Sequence, residues 1–253
     1  MCAFVPCCPC HTITDTLFPH CLTRCFCIES RNEAVTQERL GLVKTSSTAA
    51  APSTLKVVAI AASAGGLEAL SRVFAPLPAD FPAAIVVVLH IEAHRPSQLA
   101  HILGRQTSLC VKQAEEGDIL QTGWIYAAPP GKHLLVNAED TLSLTLGAKE
   151  HFSRPAADVL FRSVAASCGA RAIGVVLTGG DGASGIGAIK AAGGMTIAQD
   201  EANSLKFSMP HSAIATGDVD FVLAVGDIAA ALVSLVNNDQ GASVFAPLED
   251  PPL

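Results

Sequence analysis

The chain has 253 residues, which is enough for one full domain with a sizeable core or for two small ones. Half of its residues are apolar, 15% are charged and the formal net charge is −7, which indicates a globular protein and argues against a nucleic-acid partner. No run reaches the ~20 apolar residues of a membrane helix. Pro6 and Pro9 interrupt the apolar start, which lacks the positive charge of a secretory signal. We therefore expect a cytoplasmic protein without direct membrane insertion.

The first 27 residues contain seven of the nine cysteines. Cys7 and Cys10 form a C-x-x-C pair, and His11 and Cys25 lie nearby, so a small zinc knot is one interpretation. The spacing does not match a standard zinc finger. The other interpretation, which we adopt, is a disordered cysteine-rich extension and linker over residues 1–54, with no metal site and no cofactor.

Residues 55–237 alternate between short apolar runs and helical patterns. In chain order the pattern predicts a strand over 56–62, a helix over 66–74, a strand over 84–91, a helix over 96–103, a helix over 153–168, a strand over 172–178, a helix over 183–192, a strand over 195–198, a helix over 210–216, a strand over 219–225 and a helix over 228–236. Continuous apolar strands separated by helices predict a doubly wound, mostly parallel α/β sheet with helices on both faces. Residues 238–253 are predicted to form a flexible tail.

Residues 109–147 interrupt this alternation. Gly117, Gly123, the Pro129–Pro130 pair and Gly131 separate short apolar runs, which we interpret as the strands of β-hairpins. These hairpins are predicted either to extend one edge of the sheet or to cover it as a flap.

The segment Ala61-Ala62-Ser63-Ala64-Gly65-Gly66 lies directly after a predicted strand and before a predicted helix. Ser63 would project from a tight turn, where glycines let the backbone approach a substrate closely. The backbone amides of Ala64 and Gly65, near the helix start, could hold a developing oxyanion. Because Ala61 replaces the first glycine of a G-x-S-x-G motif, that motif is only half present. A phosphate-binding turn, or a turn without function, therefore stays an alternative.

Two further polar residues follow predicted parallel strands. His90 is the last polar residue of the predicted strand 84–91, at the sheet edge where Ser63 would also lie. Asp181, flanked by glycines, follows the strand that ends at Thr178, and a carboxylate there could orient an imidazole. The aspartate could instead cap the following helix. Asp200 follows the next strand in the same way, and spacing alone does not choose between the two aspartates.

Several segments of the chain resemble the CheB-type chemotaxis receptor methylesterases. VVAIAASAGGLEAL resembles their nucleophile region, AAIVVVLHI their histidine strand and IYAAPPGKHLLV the hairpin that follows. SRPAADVLFRSVA, IGVVLTGGDGASGIGAIKAAGG, TIAQDE and MPHSAI match in the same order, so that the resemblance covers roughly residues 55–235.

The resemblance implies a serine-dependent enzyme that hydrolyses glutamate γ-methyl esters, and often glutamine amides, on the signalling helices of methyl-accepting chemotaxis receptors. It implies that Ser63 is the nucleophile, His90 the general base and acid, and Asp181 the orienting carboxylate. The amides of Ala64 and Gly65 would hold the oxyanion, and the reaction would need no metal or organic cofactor.

The chain also departs from the pattern of that family. Two residues that the family usually has between the threonine and the aspartate are missing between Thr178 and Asp181, and Ala64 stands where a threonine is common. The family usually has an amino-terminal receiver domain, for which residues 1–54 are too few. Two other functions therefore stay open: a small-molecule esterase or amidase with the same triad, and an inactive methylesterase-like module that binds a receptor helix or a nucleotide.

Overall fold

The computed structural model describes residues 53–90, 97–180 and 183–237. In these ranges the strands are β1 (Lys56–Ala62), β2 (Ala83–Leu89), β3 (Cys110–Gln113), β4 (Trp124–Ala127), β5 (His133–Val136), β6 (Leu142–Thr145), β7 (Ala172–Val176), β8 (Met195–Gln199) and β9 (Phe221–Leu223). The α-helices are α1 (Gly66–Phe74), α2 (Leu99–Gly104), α3 (Ala157–Cys168), α4 (Ile186–Ala191), α5 (Ser208–Ile214) and α6 (Ile228–Asn237).

The central sheet contains seven of the described strands in the order β3-β4-β2-β1-β7-β8-β9, and every neighbouring pair is parallel. The strand order reverses at β1, which has β2 on one side and β7 on the other. The carboxyl ends of β1, β2 and β7 therefore meet at the point where doubly wound sheets bind their ligands. The predicted fold class, a doubly wound α/β sheet with an added hairpin, is confirmed.

The core has two halves, one on each face of the sheet. β1 is buried over residues 57–62 because its apolar run lies in the middle of the sheet. Successive side chains point to opposite faces, so Val58 and Ile60 pack with α1, α2 and α6, whereas Val57 and Ala59 pack with α3, α4 and α5. Each fully buried Val, Leu, Ile or Phe side chain contributes ~1.5–3 kcal/mol to stability. The packing from both sides fixes the edge that carries the polar residues.

The prediction of hairpins over residues 109–147 is correct for the second half of this region and wrong for the first. β5 and β6 pair antiparallel, and Leu134 and Leu142 of this hairpin pack into the same core as Tyr126 of β4. β3 and β4 run parallel instead and extend the sheet beyond β2. Residues 114–123 connect them and bring the chain back from the carboxyl end of β3 to the amino end of β4, as a parallel pair requires.

Two strands end two residues earlier than predicted. β2 ends at Leu89, so that His90 follows the strand, and β7 ends at Val176, so that Thr178 lies in the connection after it. The predicted helix over 183–192 begins only at Ile186. These differences all lie at the carboxyl edge of the sheet, where the polar groups leave the regular hydrogen-bond ladder.

Most of the predicted extension 1–54 and the whole predicted tail 238–253 lie outside the described residues, and so do the cysteines of the zinc-knot interpretation. None of the helices in the described ranges combines the length and the apolar character needed to cross a bilayer. In the same part of the chain, no three His, Cys, Asp or Glu side chains lie where they could share a metal ion.

Candidate active site

Ser63 lies on a tight turn, residues 63–66, which we call the serine turn. Its N–H donates to the Thr178 carbonyl at 2.9 Å, and the Gly66 N–H donates to the Ser63 carbonyl at 2.8 Å. Gly65 has φ 77°, in the left-handed region that favours glycine. The predicted oxyanion donors, the amides of Ala64 and Gly65, lie between these two anchored amides. The sequence-predicted geometry of a serine between strand and helix is therefore present.

His90 lies beside the serine turn. β1 and β2 are in register up to Ala62 opposite Leu89, and the His90 N–H donates to the Ala62 carbonyl at 3.0 Å. The ladder thus continues for one more step, which brings the backbones of Ser63 and His90 next to each other. The structure brings together these two predicted residues at the carboxyl edge of the sheet.

Thr178 contacts the serine turn from its other side and is 2% exposed. Its hydroxyl oxygen lies 3.0 Å from the Ala64 carbonyl oxygen and 3.1 Å from that of Lys206, and it accepts the Lys206 N–H at 2.9 Å. Its own N–H donates to the side-chain oxygen of Gln199 at 2.9 Å. Thr178 therefore connects the serine turn with the segment that follows β8.

Gly179 is in close contact with the nucleophile position. A Cβ at this residue would lie 2.9 Å from Ser63 Cβ and 2.6 Å from Met209 Sδ, so only glycine fits without displacing its neighbours. The Gly179 N–H donates to the Lys206 carbonyl at 2.9 Å, and its carbonyl accepts the Met209 N–H at 2.9 Å. The backbone before the predicted Asp181 is thus packed directly against Ser63.

Of the two aspartates that the sequence left as alternatives, the structure describes only Asp200. Asp181 lies outside the described residues, so its place in a triad stays a prediction. Both carboxylate oxygens of Asp200 accept hydrogen bonds from Asn203, one from its N–H at 3.1 Å and one from its side-chain amide at 2.9 Å. Asp200 therefore closes the turn after β8, which favours a local structural role for it.

A buried carboxylate, Asp158, holds the chain a few residues after Asp181. It accepts the Gly185 N–H at 2.9 Å and lies 3.3 Å from the Ser184 hydroxyl. Asp158 belongs to the first turn of α3 and is 3% exposed. Gly179, before positions 181 and 182, and Gly185, after them, are thus each hydrogen-bonded to another segment of the chain.

A pocket of about 240 Å³ adjoins the serine turn between α1 and the segment that follows β8. Gly65 and Thr178 line it, together with the polar residues Glu68, Arg72 and Asn203. Ser63 does not line this pocket, which therefore borders the serine turn through Gly65.

Two other potentially reactive groups, the thiol of Cys168 and the hydroxyl of Tyr126, stay protonated at neutral pH. Burial raises the pKa of Cys168 to about 11 and that of Tyr126 to about 12. The Cys168 thiol, at the end of α3, is therefore a poor candidate for a competing nucleophile, because the thiolate is the reactive form. The Tyr126 hydroxyl donates to the Ile119 carbonyl at 2.9 Å, in a structural contact.

Sequence reasoning missed Thr178 and Gln199 as parts of the site. Gln199 is fully buried at the end of β8 and donates to the Asn203 carbonyl at 2.6 Å. The available signal was a polar residue directly after an apolar run, which had already singled out His90. Applied to every strand, the same signal would have found both residues.

The fold and this edge together define the class of protein: a doubly wound α/β domain with a serine on a strand-to-helix turn and a histidine after the neighbouring strand. Residues 58–232 match the family model described as CheB methylesterase. The chain belongs to this family.

Individual relatives agree with the family match. The chain is 37% identical over 186 residues to a putative protein-glutamate methylesterase/protein-glutamine glutaminase of Leptospira interrogans, a match that covers 73% of this chain and 96% of that protein. It is 43% identical over 188 residues to the protein-glutamate methylesterase FrzG of Myxococcus xanthus, covering 74% of this chain but only 56% of FrzG.

A solved structure gives the same result. The crystal structure of the Thermotoga maritima CheB methylesterase catalytic domain matches with a TM-score of 0.70 and 34% identity, covering 72% of this chain and all of that one. The resemblance seen in the sequence and the predicted enzyme class, a protein-glutamate methylesterase and thus a carboxylic ester hydrolase, are confirmed.

Proposed function

We propose that this protein hydrolyses γ-methyl esters of glutamate side chains, and the corresponding glutamine amides, on the signalling helices of chemotaxis receptors in the cytoplasm, through Ser63, His90 and Asp181. One observation carries the proposal. The serine turn and His90 lie side by side at the carboxyl edge of the sheet, in a chain whose relatives are protein-glutamate methylesterases.

The proposed reaction is an acyl transfer in two steps. The Ser63 hydroxyl attacks the ester carbonyl while a neutral His90 imidazole accepts its proton. The amides of Ala64 and Gly65 stabilise the oxyanion, and methanol leaves with the proton from the imidazole. Water then attacks the acyl-serine by the same route and releases the glutamate carboxylate. In this scheme Asp181 orients the imidazole.

The surroundings of the serine turn favour a protein substrate over a small ester. The Leu205 side chain is 75% exposed although its Cβ lies 2.8 Å from the position that a Gly65 Cβ would occupy. Leu67, in the first turn of α1, is 36% exposed. These two leucines give the serine turn an exposed apolar border that a bound protein segment would cover and a small ester would not. No comparable observation favours a small-molecule esterase or an inactive binding module.

Replacement of Ser63 by alanine tests the proposal. Ser63→Ala should reduce methanol release from a methylated receptor to background while the melting temperature stays unchanged, because the hydroxyl is the proposed nucleophile and the serine turn is held by backbone groups. A fluorophosphonate probe should label the wild type and not this variant.

Ser71→Ala is the matched control, since Ser71 lies on α1 and its hydroxyl binds only the Leu67 carbonyl among the described contacts. This control should keep full activity and labelling. Labelling that persists in Ser63→Ala would remove Ser63 from the nucleophile position. Turnover of a simple aryl ester without turnover of the methylated receptor would favour the small-molecule esterase, and labelling without turnover of either would favour the binding module.

A further inference from the structure

The buried hydroxyl of Thr178 has a choice of two carbonyl acceptors. A hydroxyl has a single proton, so it donates to one carbonyl at a time. The Lys206 carbonyl, at 3.1 Å, already accepts the Gly179 N–H at 2.9 Å. The Ala64 carbonyl lies slightly closer, at 3.0 Å. The Thr178 hydroxyl also accepts the Lys206 N–H at 2.9 Å, which fixes its position. Among the described backbone contacts, the Lys206 carbonyl has the Gly179 N–H as a donor whereas no N–H donates to the Ala64 carbonyl, so a hydroxyl proton donated to Ala64 leaves both carbonyls with a hydrogen bond.

The Ala64 carbonyl and the Gly65 N–H belong to the same peptide group. Because that group is planar and trans, its C=O and N–H point in opposite directions, and holding one sets the direction of the other. Gly65 has φ 77°, and glycine permits more backbone conformations than any other residue. A peptide next to such a glycine needs an external contact to keep a single orientation.

We infer that Thr178 is a positioning residue for hydrolysis: its buried hydroxyl holds the Ala64 carbonyl so that the Gly65 N–H points toward the oxyanion. This inference rests on the proposed function, since it concerns the oxyanion donors of that reaction. Thr178 also accepts the Ser63 N–H through its carbonyl at 2.9 Å. The same residue thus fixes both the nucleophile and the peptide that follows it.

The expected effect is specific to the transition state. Negative charge on the ester oxygen develops only as the tetrahedral intermediate forms, so a misaligned Gly65 N–H weakens that state and leaves substrate binding nearly unchanged. Loss of an entire oxyanion donor lowers kcat ~10²–10³-fold, and loss of the contact that orients one should cost less, about 10–100-fold. KM should change by less than about 3-fold.

The test compares Thr178→Val with Thr178→Ser and with a matched control, Thr196→Val. Valine has nearly the shape of threonine but no hydroxyl, whereas serine keeps the hydroxyl. Thr196 is fully buried on β8; its hydroxyl lies 2.6 Å from the Asp218 carbonyl oxygen and 2.9 Å from a carboxylate oxygen of Asp220, and accepts the Asp220 N–H at 2.9 Å. The control removes a hydroxyl with three polar neighbours, as Thr178→Val does, but at the amino ends of the strands, away from the serine turn.

The readouts are kcat and KM on methylated receptor, the rate of Ser63 labelling by a fluorophosphonate, and the melting temperature. We expect the kcat and the labelling rate of Thr178→Val to fall about 10–100-fold while KM stays nearly constant. Thr178→Ser should recover most of the loss, and Thr196→Val should lose stability only. Equal kcat and labelling rate in Thr178→Val and Thr196→Val would overturn the inference, as would a loss that serine does not recover.

The remaining outcomes are also decisive. If Thr178→Val does not fold, Thr178→Ala is measured by the same criteria, and failure of both to fold would assign the hydroxyl to stability and overturn the inference. If the wild type is labelled at Ser63 but releases no methanol, the proposed function fails while the labelling rates still decide the part played by Thr178. A wild type that is not labelled overturns both.

Discussion

Thr178 follows β7 at the carboxyl edge of the sheet, and Thr196 is the second residue of the adjacent β8 at the amino edge. Both are buried, and the hydroxyl of each has three polar neighbours. The neighbours of Thr178 are all backbone groups. Those of Thr196 include the carboxylate of Asp220, which also pairs with Lys190. A buried threonine hydroxyl is therefore surrounded by neutral backbone groups at the carboxyl edge, and by groups that include a charged carboxylate at the amino edge.

Charged groups are prominent elsewhere along the amino edge. The Arg171 guanidinium, just before β7, lies 3.2 Å from a carboxylate oxygen of Asp140 and donates to the carbonyl of Leu55, which precedes β1. The Ser53 hydroxyl donates to the other carboxylate oxygen of Asp140. These contacts fasten the beginning of β1 to the beginning of β7 and to the β5–β6 hairpin.

The amino edge holds chain segments together, whereas the carboxyl edge positions the proposed catalytic groups. The difference in charge between the two edges suits these two roles. Ion pairs and carboxylate hydrogen bonds hold chain segments together, and a charge at the amino edge is a strand length away from the serine turn. At the carboxyl edge the proposed mechanism places one charge beside His90, the carboxylate of Asp181, and any further charge there would change the protonation of the imidazole. Among the described residues, the hydrogen bonds of the serine turn come from neutral groups, which orient the backbone without such an effect.

The largest expected effect is that of a substitution at the carboxyl edge which removes the one carboxylate that the proposed mechanism requires. Asp181→Asn should lower kcat by up to ~10⁴-fold, the size seen when the orienting aspartate of a Ser-His-Asp triad becomes asparagine and the imidazole takes the wrong tautomer. The melting temperature should stay unchanged. Hydrolysis of methylated receptor and thermal unfolding give the two quantities.

Asp200→Asn is the matched control at the same edge, because both carboxylate oxygens of Asp200 bind Asn203 in a local turn. It should cost ~1 kcal/mol of stability at most and leave kcat nearly unchanged. The reverse result would transfer the orienting role to Asp200. If neither substitution slows turnover, the triad itself is wrong.

A substitution at the amino edge should show the opposite pattern. Arg171→Met removes the partner of Asp140 and the donors to the carbonyls of Leu55 and Ser167, so it should cost about 1–3 kcal/mol of unfolding free energy. We expect kcat of the folded protein to be unchanged. Denaturant unfolding and steady-state kinetics measure both, with Arg105→Met, at an exposed arginine after α2, as the control. A kcat loss above ~10-fold would contradict the separation of the two edges.

The smallest effect is expected from removing residues 1–50, because the deletion keeps Ser53 and Leu55, which make the described contacts of the amino edge, and because the predicted α/β pattern begins at Leu55. The melting temperature should shift by less than about 3 °C, which corresponds to roughly 1 kcal/mol for a domain of this size. Turnover should stay within about 2-fold of that of the full chain. A large loss that a zinc chelator reproduces on the full chain would favour the zinc-knot interpretation instead.

Local patterns were sufficient to predict the central part of the fold. The apolar runs of β1 and β2 gave their parallel pairing, and the glycines after Ser63 gave the start of α1 at Gly66, where the structure has it. Ser63 and His90 were predictable as neighbours because polar residues after parallel strands share one edge of the sheet.

The remaining features depend on contacts between distant segments. The parallel pairing of β3 with β4 gives no periodic signal, since short strands with glycines between them fit hairpins equally well. The contacts of Thr178 depend on where residues 203–206 return to the sheet, which no local pattern specifies. Asp200 became distinguishable only through its hydrogen bonds to Asn203.

The hydrogen bond between the Thr178 hydroxyl and the Ala64 carbonyl spans 114 residues of sequence. β1 likewise pairs on one side with β2, its next neighbour in the chain, and on the other with the much later β7. Contacts of such high sequence separation close long loops, and the entropy cost of closing those loops slows folding. During synthesis, a nascent chain that has not yet reached β7 already contains Ser63 and Ala64, but it does not yet contain Thr178, whose hydroxyl contacts the Ala64 carbonyl. The arrangement that we propose for hydrolysis is therefore complete only after β7 has joined the sheet. A partly made chain contains Ser63 but lacks the residue that we propose positions its oxyanion donor.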